Sequence, residues 1–497
     1  MTAWSEFLVA HVVLPQWVVM GLGVLSALAI LDHAVLPAGR AVMRWRSELR
    51  FERLNTQLRL RLQSFKMTRR RVLIDRLLHD PDVLAAVEQQ VRETGQPLKM
   101  VMKRAKGFAA EIVPSFSAYT YFRIGTRLSR WISRSLYRVR LGVIDREAID
   151  NVPADASVVF VINHRSNMDY VLVTYMVSTA SALSYAVGEW AQVWGLRELI
   201  RSMGAYFIRR NSRDPLYRKV LARYVDMATK AGVVQAVFPE GGLSRTGAMQ
   251  PAKLGLLSYM VSGFDPNGTR DIVFIPVGVN YDRVLEDRNL LGAAGAPAGT
   301  RPSFGFNGWV FTRYLARQAW LRLTGRWHRF GYACVSFGTP ISLKAFLAPR
   351  ALDYRAMPPA ERHAEIEVLG NRLTAAIARV VPVVPVPLVA RALLDAADGA
   401  MTPFEVKGRV HELIGSLEAA GTHVHIPRKD RDYAVESGLR ALLERRLIAL
   451  QDGTYTVSMS GRPLLQYYAN SLIVPVDNRT ATTERPAATG HPIQASA

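Results

Sequence analysis

Short apolar runs that alternate with helical patterns constrain the fold of this chain more than any other feature. The strand-like runs, in order, are "ASVVFVIN", "ALSYAVGE", "AYFIR", "VVQAVFPEGG" and "DIVFIPVGVNYD". A strand that is apolar on both faces has to be buried on both faces. With helical segments between the runs, the sequence predicts an α/β fold whose mainly parallel sheet is flanked by helices.

Polar residues cluster directly after these strands, where the sites of parallel sheets collect. The first cluster, "NHRSNMD", places His164 after a strand and Asp169 at the start of a helix. A carboxylate that holds an imidazole fixes its tautomer and raises its basicity, as a general base for a hydroxyl requires. By itself, the spacing favours a capping aspartate beside a structural histidine over a catalytic pair.

The second cluster, "GAYFIRRNSRDPLYRK", places Arg209, Arg210 and Arg213 at a strand end. Adjacent guanidinium groups in that position indicate an anion, because they bind phosphate oxygens bidentately.

Two further clusters follow the next strands. In "FPEGGLSRTG", Gly241 and Gly242 permit a tight turn after Glu240, and Ser244 and Arg245 are placed to bind an anion with nearby backbone N–H groups. The fourth cluster, "IPVGVNYDR", ends its strand with Asn280, Tyr281, Asp282 and Arg283.

The charge balance points to a polyanionic partner. The 497 residues include 63 Lys and Arg against 41 Asp and Glu, a net charge of +22. Nucleic acid, an anionic membrane surface and phosphorylated substrates all fit this excess. The single cysteine, Cys334, excludes an internal disulfide and lies in the strand-like run "RFGYACVSFGT", where a buried structural thiol is expected.

The N-terminal region is predicted to contact a membrane. The run "WVVMGLGVLSALAIL" within residues 1–39 predicts an anchor helix that spans the bilayer or lies on it, although a buried helix remains an alternative. Residues 40–110 form a predicted basic helical segment. Its arginines favour anionic lipid headgroups and, by the positive-inside rule, a cytoplasmic location for the rest of the chain.

The C-terminal part has a different pattern. The run "VVPVVPVPLVARALL" marks a boundary region, and residues 351–476 are predicted as a helical domain with a hairpin at "QDGTY". Residues 477–497 are polar and predicted to be disordered.

In this order and at these spacings, the four polar clusters resemble the motifs of the glycerolipid acyltransferase family, in its glycerol-3-phosphate and dihydroxyacetone-phosphate branch. The matching segments are "HRSNMD", "GAYFIRR", "PEGGLSRTG" and "IPVGVNYDR", within residues 111–350, and "PLLQYYANSLIV" adds a weaker echo. The resemblance makes residues 111–350 the expected acyltransferase domain.

The resemblance implies the first step of phospholipid synthesis, transfer of a fatty acyl group from acyl-CoA or acyl-ACP to the sn-1 hydroxyl of glycerol 3-phosphate. His164 would deprotonate the hydroxyl and Asp169 would orient His164. Arg209 with Arg245 would hold the acceptor's phosphate, Glu240 with Gly241 would position its glycerol part, and Pro276 would shape the acyl or acceptor pocket. The other implied substrate-binding residues are Arg210, Gly242 and Ser244. No metal and no cofactor beyond the acyl donor is implied.

One departure from the family pattern and four alternative functions stay open. Leu243 stands where the family usually has an arginine, which leaves one phosphate contact in doubt. Lysophosphatidate acyltransferases usually have Phe-Ile-Asp-Arg where this chain has Phe-Ile-Arg-Arg, and dihydroxyacetone phosphate remains a possible acceptor. The net charge keeps a nucleic-acid-binding role as an alternative, although membrane lipids are the expected partner at a bacterial inner membrane. A metal hydrolase is a further alternative, with His164 and Asp169, or His423 and His425, as candidate ligands.

Overall fold

A computed structural model describes residues 63–178, 181–188, 196–209, 212–294, 329–396 and 400–472. These residues belong to one compact unit. The predicted anchor at 1–39, the start of the basic segment, Arg210 and the tail at 477–497 lie outside the described residues. In the part of the chain that is described, no helix has both the length and the apolar character needed to cross a bilayer.

Within the described residues, an eight-stranded sheet forms the centre of the molecule. Its strands are β1 (Arg138–Ile144), β2 (Ser157–Ile162), β3 (Ser184–Val187), β4 (Tyr206–Phe207), β5 (Gln235–Val237), β6 (Ile272–Tyr281), β7 (Tyr332–Phe337) and β8 (Ile341–Ser342).

The strand order is β1-β7-β6-β2-β5-β3-β4. β7 and β8 pair with the same side of β6, β8 with its first half and β7 with its second half. β2 pairs in parallel with β5 and β6, and β3 pairs in parallel with β4 and β5. The predicted mainly parallel sheet is thereby confirmed. The sequence did not indicate that β7 and β8 run antiparallel to β6. β1, parallel to β7, therefore starts at the edge where β2 and β6 end.

Helices cover the sheet and form the C-terminal part. They are α1 (Ser64–Met67), α2 (Arg70–Leu78), α3 (Pro81–Thr94), α4 (Leu98–Ile112), α5 (Thr126–Leu136), α6 (Arg146–Asp150), α7 (Met168–Val177), α8 (Leu196–Ser202), α9 (Pro215–Lys230), α10 (Leu254–Val261), α11 (Asp287–Ala294), α12 (Leu343–Leu347), α13 (Pro359–Val380), α14 (Pro385–Leu394), α15 (Pro403–Ala419), α16 (Arg431–Glu444) and α17 (Arg462–Ala469). A π-helical turn, Thr120–Gly125, leads into α5.

Local signals explain where several helices begin. Asp214 caps α9 by accepting from the backbone N–H groups of Leu216 and Tyr217, and Pro215 occupies the first helical position. Thr402 and Glu405 form a reciprocal capping box at the start of α15. The predicted hairpin is confirmed as β10 (Ile448–Gln451) and β11 (Thr454–Val457), which pairs also with β9 (Ala400–Met401).

The C-terminal helices pack on the sheet rather than beside it. Leu369, Leu373 and Ile377 of α13 belong to the same buried cluster as Ile272 and Phe274 of β6. Gly278 of β6 lies so close to the Val380 backbone that an added Cβ would overlap it. The division predicted at residue 350 stays a prediction, but the described residues on its two sides share one core.

Candidate active site

Three polar clusters predicted from the sequence meet at one edge of the sheet. His164 follows β2, Glu240 follows β5, and Tyr281 ends β6. Because β2 pairs in parallel with both β5 and β6, their carboxyl ends lie side by side. Topology therefore assembles a site from segments that are far apart in sequence.

His164 and Asp169 form a buried pair at this edge. His164 Nδ1 lies 2.9 Å from Asp169 Oδ2, and the two side chains are 1% and 0% exposed. An ionised carboxylate only accepts, so Nδ1 carries the proton and the neutral ring keeps its lone pair on Nε2. This is the tautomer that a general base at Nε2 requires.

Asp169 also organises the turn that follows β2. Its Oδ2 accepts from the backbone N–H groups of Arg165 at 2.7 Å and Ser166 at 3.0 Å. Its Oδ1 accepts from the Tyr281 hydroxyl at 2.6 Å. These donors fix the orientation of the carboxylate, so Asp169 stays aligned with the imidazole.

Two other carboxylates support the same turn. Glu240 Oε1 accepts from the His164 N–H at 2.8 Å, and its Oε2 accepts from the Gln250 N–H at 3.0 Å. Burial raises the pKa of Glu240 to about 7, although the hydrogen bonds from His164 and Gln250 oppose the rise. Glu286 accepts from the Ser166 hydroxyl at 2.7 Å, and burial raises its pKa as well.

Aromatic rings line the histidine. The Phe238 ring stacks on His164 with centroids 4.0 Å apart, and Tyr170 meets it edge-on at 5.4 Å. Phe238, the residue directly after β5, therefore supplies a hydrophobic surface against the imidazole. Sequence reasoning assigned no role to Phe238, Tyr281 or Glu286.

The Gly-Gly turn of the third cluster lies beside the pair. Gly241 adopts a left-handed conformation, with φ of +68°, as its predicted tight turn requires. Ser244 is buried, and its N–H donates to the His164 carbonyl at 3.0 Å. Its hydroxyl donates to the Ala248 carbonyl at 2.6 Å. Gly242 is half-buried in the turn, and Arg245 is exposed.

Arg165 is a buried cation next to the pair. It is 4% exposed, and its Nη1 donates to the Gly247 carbonyl at 2.6 Å. Its Nε and Nη2 atoms have no hydrogen-bond partner among the described residues. A buried guanidinium with spare donors is an anion-binding feature that sequence reasoning missed.

Arg209 lies at the end of β4, two strands from β5, and is exposed. Its Nε and Nη2 donate to the two carboxylate oxygens of Glu111 at 2.9 and 2.5 Å. The Phe108 and Tyr217 rings lie 5.4 and 5.3 Å from its guanidinium. Arg209 is thus held on α4, and its predicted phosphate contact stays a prediction.

Pro276 lies within β6 and is buried. It pairs in register with Val161 of β2. On the opposite edge of β6, β8 pairs at residues 273–274 and β7 pairs from 277 onward, and the Gly338 N–H donates to the Pro276 carbonyl. Position 276 lies between the segments of β6 that pair with β8 and with β7. A proline is tolerated there because neither strand accepts a hydrogen bond from a backbone N–H at this position.

The C-terminal helix α17 closes one side of the site. The Tyr467 ring lies 5.4 Å from the Arg165 guanidinium, and Asn470 Nδ2 donates to the Thr246 carbonyl at 2.9 Å. Arg445 pairs with Asp287 at 2.6 Å and donates to the Tyr468 hydroxyl at 2.9 Å. The segment "PLLQYYANSLIV" therefore contacts the loops that carry the clusters.

His423 and His425, the second pair of candidate metal ligands, lie near β1 and β7. His425 packs against the Tyr332 ring with centroids 5.2 Å apart, and burial lowers its pKa to about 4. Over the described ranges, no group of three His, Cys, Asp or Glu side chains is placed to hold a metal ion. Cys334 is buried in β7 as predicted, which raises its pKa to about 12.

Comparisons with known proteins agree with this arrangement. Residues 143–280 match the family model "Acyltransferase", and residues 321–474 match "Glycerol-3-phosphate acyltransferase C-terminal region". The glycerol-3-phosphate acyltransferase of Ectopseudomonas mendocina is 29% identical over 421 residues, 82% of this chain and 49% of that one. That of Aeromonas hydrophila is 27% identical over 428 residues, 82% of this chain and 50% of that one.

The chain spans about half the length of these curated relatives. A solved structure, the 1-acyl-sn-glycerophosphate acyltransferase from Thermotoga maritima, covers 51% of this chain and 77% of its own, with a TM-score of 0.28 and 18% identity. That likeness is too low to carry an argument.

A buried histidine and aspartate at the carboxyl edge of a parallel sheet, followed by the Pro-Glu-Gly-Gly turn, define an acyltransferase-type site. Two segments of the chain match family models of this class, and over 421 residues the chain is similar to glycerol-3-phosphate acyltransferases.

Proposed function

We propose that the chain is a glycerol-3-phosphate 1-O-acyltransferase, which uses acyl-CoA or acyl-ACP as the acyl donor. The observation that carries this proposal is the buried His164–Asp169 pair, with 2.9 Å between Nδ1 and Oδ2, in a chain whose relatives bear that name. The segment that matches the C-terminal family region also contacts the site through α17.

The proposed reaction is a direct transfer. His164 Nε2 takes the proton of the sn-1 hydroxyl while the hydroxyl oxygen attacks the thioester carbonyl. The tetrahedral intermediate collapses, the C–S bond breaks, and the thiolate leaves with the proton from the imidazolium. Asp169 stabilises the imidazolium meanwhile, held in place by Tyr281 and two backbone N–H groups. No acyl-enzyme is needed.

Arginines are proposed to hold the acceptor's phosphate. Arg209, Arg210 and Arg245 are the candidates from the motifs, and a phosphate would compete with the Glu111 carboxylate for Arg209. Arg165 joins them, because its spare buried donors lie beside His164 and because Leu243 removes one usual cation. Glu240 is assigned to holding the His164 turn, since both its oxygens accept from backbone N–H groups.

An acyl-transfer assay on membranes tests the proposal. It offers glycerol 3-phosphate, dihydroxyacetone phosphate and lysophosphatidate separately, each with acyl-CoA and with acyl-ACP. Acylation of glycerol 3-phosphate in preference to the other two is the expected result. Selective use of lysophosphatidate would overturn the substrate assignment, and failure with all three would overturn the function.

Membrane lipids are the proposed partners, at a bacterial inner membrane with the catalytic part on the cytoplasmic side. The support is the apolar run within residues 1–39 and the arginines that follow it. Fractionation that leaves the full chain soluble at low and high salt would contradict this location. Duplex DNA binding with a steep salt dependence would instead favour the nucleic-acid alternative.

A further inference from the structure

One face of the molecule concentrates arginines without carboxylates. Between Glu111 and Asp145 the sequence has no acidic residue. In that interval Arg123 lies in the π-helical turn, Arg127, Arg130 and Arg134 lie on α5, and Arg138 and Arg140 lie on β1. These six arginines, with the apolar residues described next, are called the arginine face.

On α5 and the π-helical turn before it, small residues are buried and large apolar residues are exposed. The buried side carries small residues, Gly125, Ser129 and Ser133, which pack towards α7. The outer side carries Ile124, Leu128 and Trp131, which are 45%, 38% and 60% exposed. A helix that only covered a protein core would bury its large apolar side chains and expose its serines.

Three arginines of this face contact neutral groups. Arg130 lies over the Tyr175 ring and Arg138 over the Tyr332 ring, and Arg140 donates to the Val139 carbonyl. With respect to the described residues, none of the six makes an ion pair. Six cations without an ion-pair partner among the described residues create a positive surface that attracts a polyanion.

A cavity at the C-terminal end of α5 adds a binding site to this surface. Its volume is about 340 Å³. Its lining residues are Arg134, Tyr137, Arg138, Val139, Arg140, Tyr175 and Arg329. Four guanidinium groups around one cavity match the charge and the hydrogen-bonding geometry of a phosphate group.

We propose that the arginine face docks on a bilayer that contains anionic phospholipid, with a headgroup phosphate in the arginine-lined cavity. The exposed isoleucine, leucine and tryptophan between the arginines favour a bilayer over nucleic acid, because a nucleic-acid backbone offers them no apolar contact. This contact is separate from the predicted anchor at residues 1–39 and does not rest on the proposed activity.

The face borders the catalytic edge. The Tyr137 ring, at the end of α5, lies 5.2 Å from the Tyr281 ring, whose hydroxyl donates to Asp169. Tyr175 in the cavity wall belongs to α7, the helix that begins with Met168 and Asp169. Docking therefore brings the site's wall close to the lipid surface, where an apolar acyl chain resides.

A fluorescent probe at a single position distinguishes this contact from any other attachment of the protein to the membrane. Leu128→Cys in the full-length protein carries an environment-sensitive fluorophore, since the native Cys334 is buried. On vesicles of phosphatidylcholine and phosphatidylglycerol, we expect a blue shift and quenching by brominated acyl chains. Val368→Cys on α13, 40% exposed, is the matched control and should stay in water.

Charge reversal tests the arginines. Arg127→Glu, Arg130→Glu and Arg134→Glu together should weaken the response at position 128 by on the order of 100-fold, since each surface arginine contributes about tenfold or less. Reversal of the exposed Arg372, Arg379 and Arg440, which changes net charge equally, should weaken it far less. Unchanged melting of both triple variants shows that they remain folded.

Several results would overturn the proposal. A probe at 128 that stays in water on anionic vesicles, or that responds equally on pure phosphatidylcholine, excludes docking by this face. Equal responses at 128 and 368 would mean non-specific adsorption. A response to an acidic soluble protein or to DNA, but not to vesicles, would assign the arginine face to that partner.

Discussion

At the scale of single residues, Asp169 connects the parts of the site. It accepts from the His164 ring, from two backbone N–H groups and from the Tyr281 hydroxyl, with no exposure to water. A buried carboxylate with this many donors holds its partners in one geometry. The sequence predicted the His164–Asp169 pair, but it could not predict Tyr281 as a partner, because 112 positions separate Tyr281 from Asp169.

Tyr281→Phe should lower kcat about tenfold and leave KM nearly unchanged, since it removes a hydroxyl that positions Asp169 and touches no substrate. A lost hydrogen bond to a charged group costs about 1.5–3 kcal/mol. For comparison, His164→Ala should lower kcat by roughly 10²–10⁴-fold, because it removes the proposed general base. Steady-state kinetics measure the effect, and Tyr137→Phe, whose hydroxyl donates to the Arg283 carbonyl, is the control that should keep kcat.

Glu240 should make stability depend on pH. Its pKa in the folded protein is raised to about 7 from an ordinary 4.5, so the folded state binds its proton more tightly than the unfolded state. The contribution to stability is therefore greatest below about pH 4.5 and decreases as pH rises to about 7, by about 1.4 kcal/mol per unit.

Urea unfolding across that range measures this dependence. Asp282, whose buried pKa is also raised to about 7, acts with the same sign. Glu240→Gln should reduce the decline relative to the parent protein, whereas Glu367→Gln, on an exposed position of α13, should not. An identical pH dependence in parent and Glu240→Gln would contradict the assignment.

At the scale of elements, helix α17 and the loop after β5 pack closely and fix each other's position. Gly247 is left-handed, with φ of +83°, and an added Cβ would overlap the Tyr467 carbonyl. The Gly247 carbonyl accepts from Arg165, so this close approach also fixes a buried cation beside His164. The sequence indicated a glycine turn only at Gly241 and Gly242, and the contact of Gly247 with a helix more than 200 residues later follows only from packing.

Gly247→Ala should destabilise the protein and reduce activity. The left-handed conformation costs a residue with a Cβ about 1–2 kcal/mol, and the overlap with Tyr467 adds to this. Gly255→Ala on α10, where nothing lies near the added Cβ, should be neutral or stabilise by up to about 1 kcal/mol. Urea unfolding and initial rates compare the two, and equal effects would show that the α17 contact is not needed.

At the scale of the whole molecule, the predicted catalytic and C-terminal domains share one buried cluster. Leu369, Leu373 and Ile377 of α13 cover the β6 residues Ile272 and Phe274. Uncovering apolar side chains of this size costs about 1.5–3 kcal/mol each. The sheet therefore depends on residues beyond the boundary predicted at 350.

A fragment of residues 1–350, which keeps the N-terminal helices of the same buried cluster, should accordingly fail to fold cooperatively. Circular dichroism and limited proteolysis would show a broad thermal transition and rapid cleavage, in contrast to the full chain. Co-expression of residues 351–476 should restore protection if the shared core is the cause. A fragment that melts as sharply as the full chain would instead support an independent catalytic domain.

The sequence alone determined the central apolar strands and the order of the polar clusters, and it placed His164 and Asp169 close enough along the chain to pair. Each depends on local apolar patterning or on residues a few positions apart. Only the tertiary structure decided that Tyr281, Glu240 and Glu286 support the same turn, that Arg209 pairs with Glu111, and that β7 runs antiparallel beside β6. These contacts join segments distant in sequence, and strand order and side-chain packing, which bring them together, leave no local pattern in the chain.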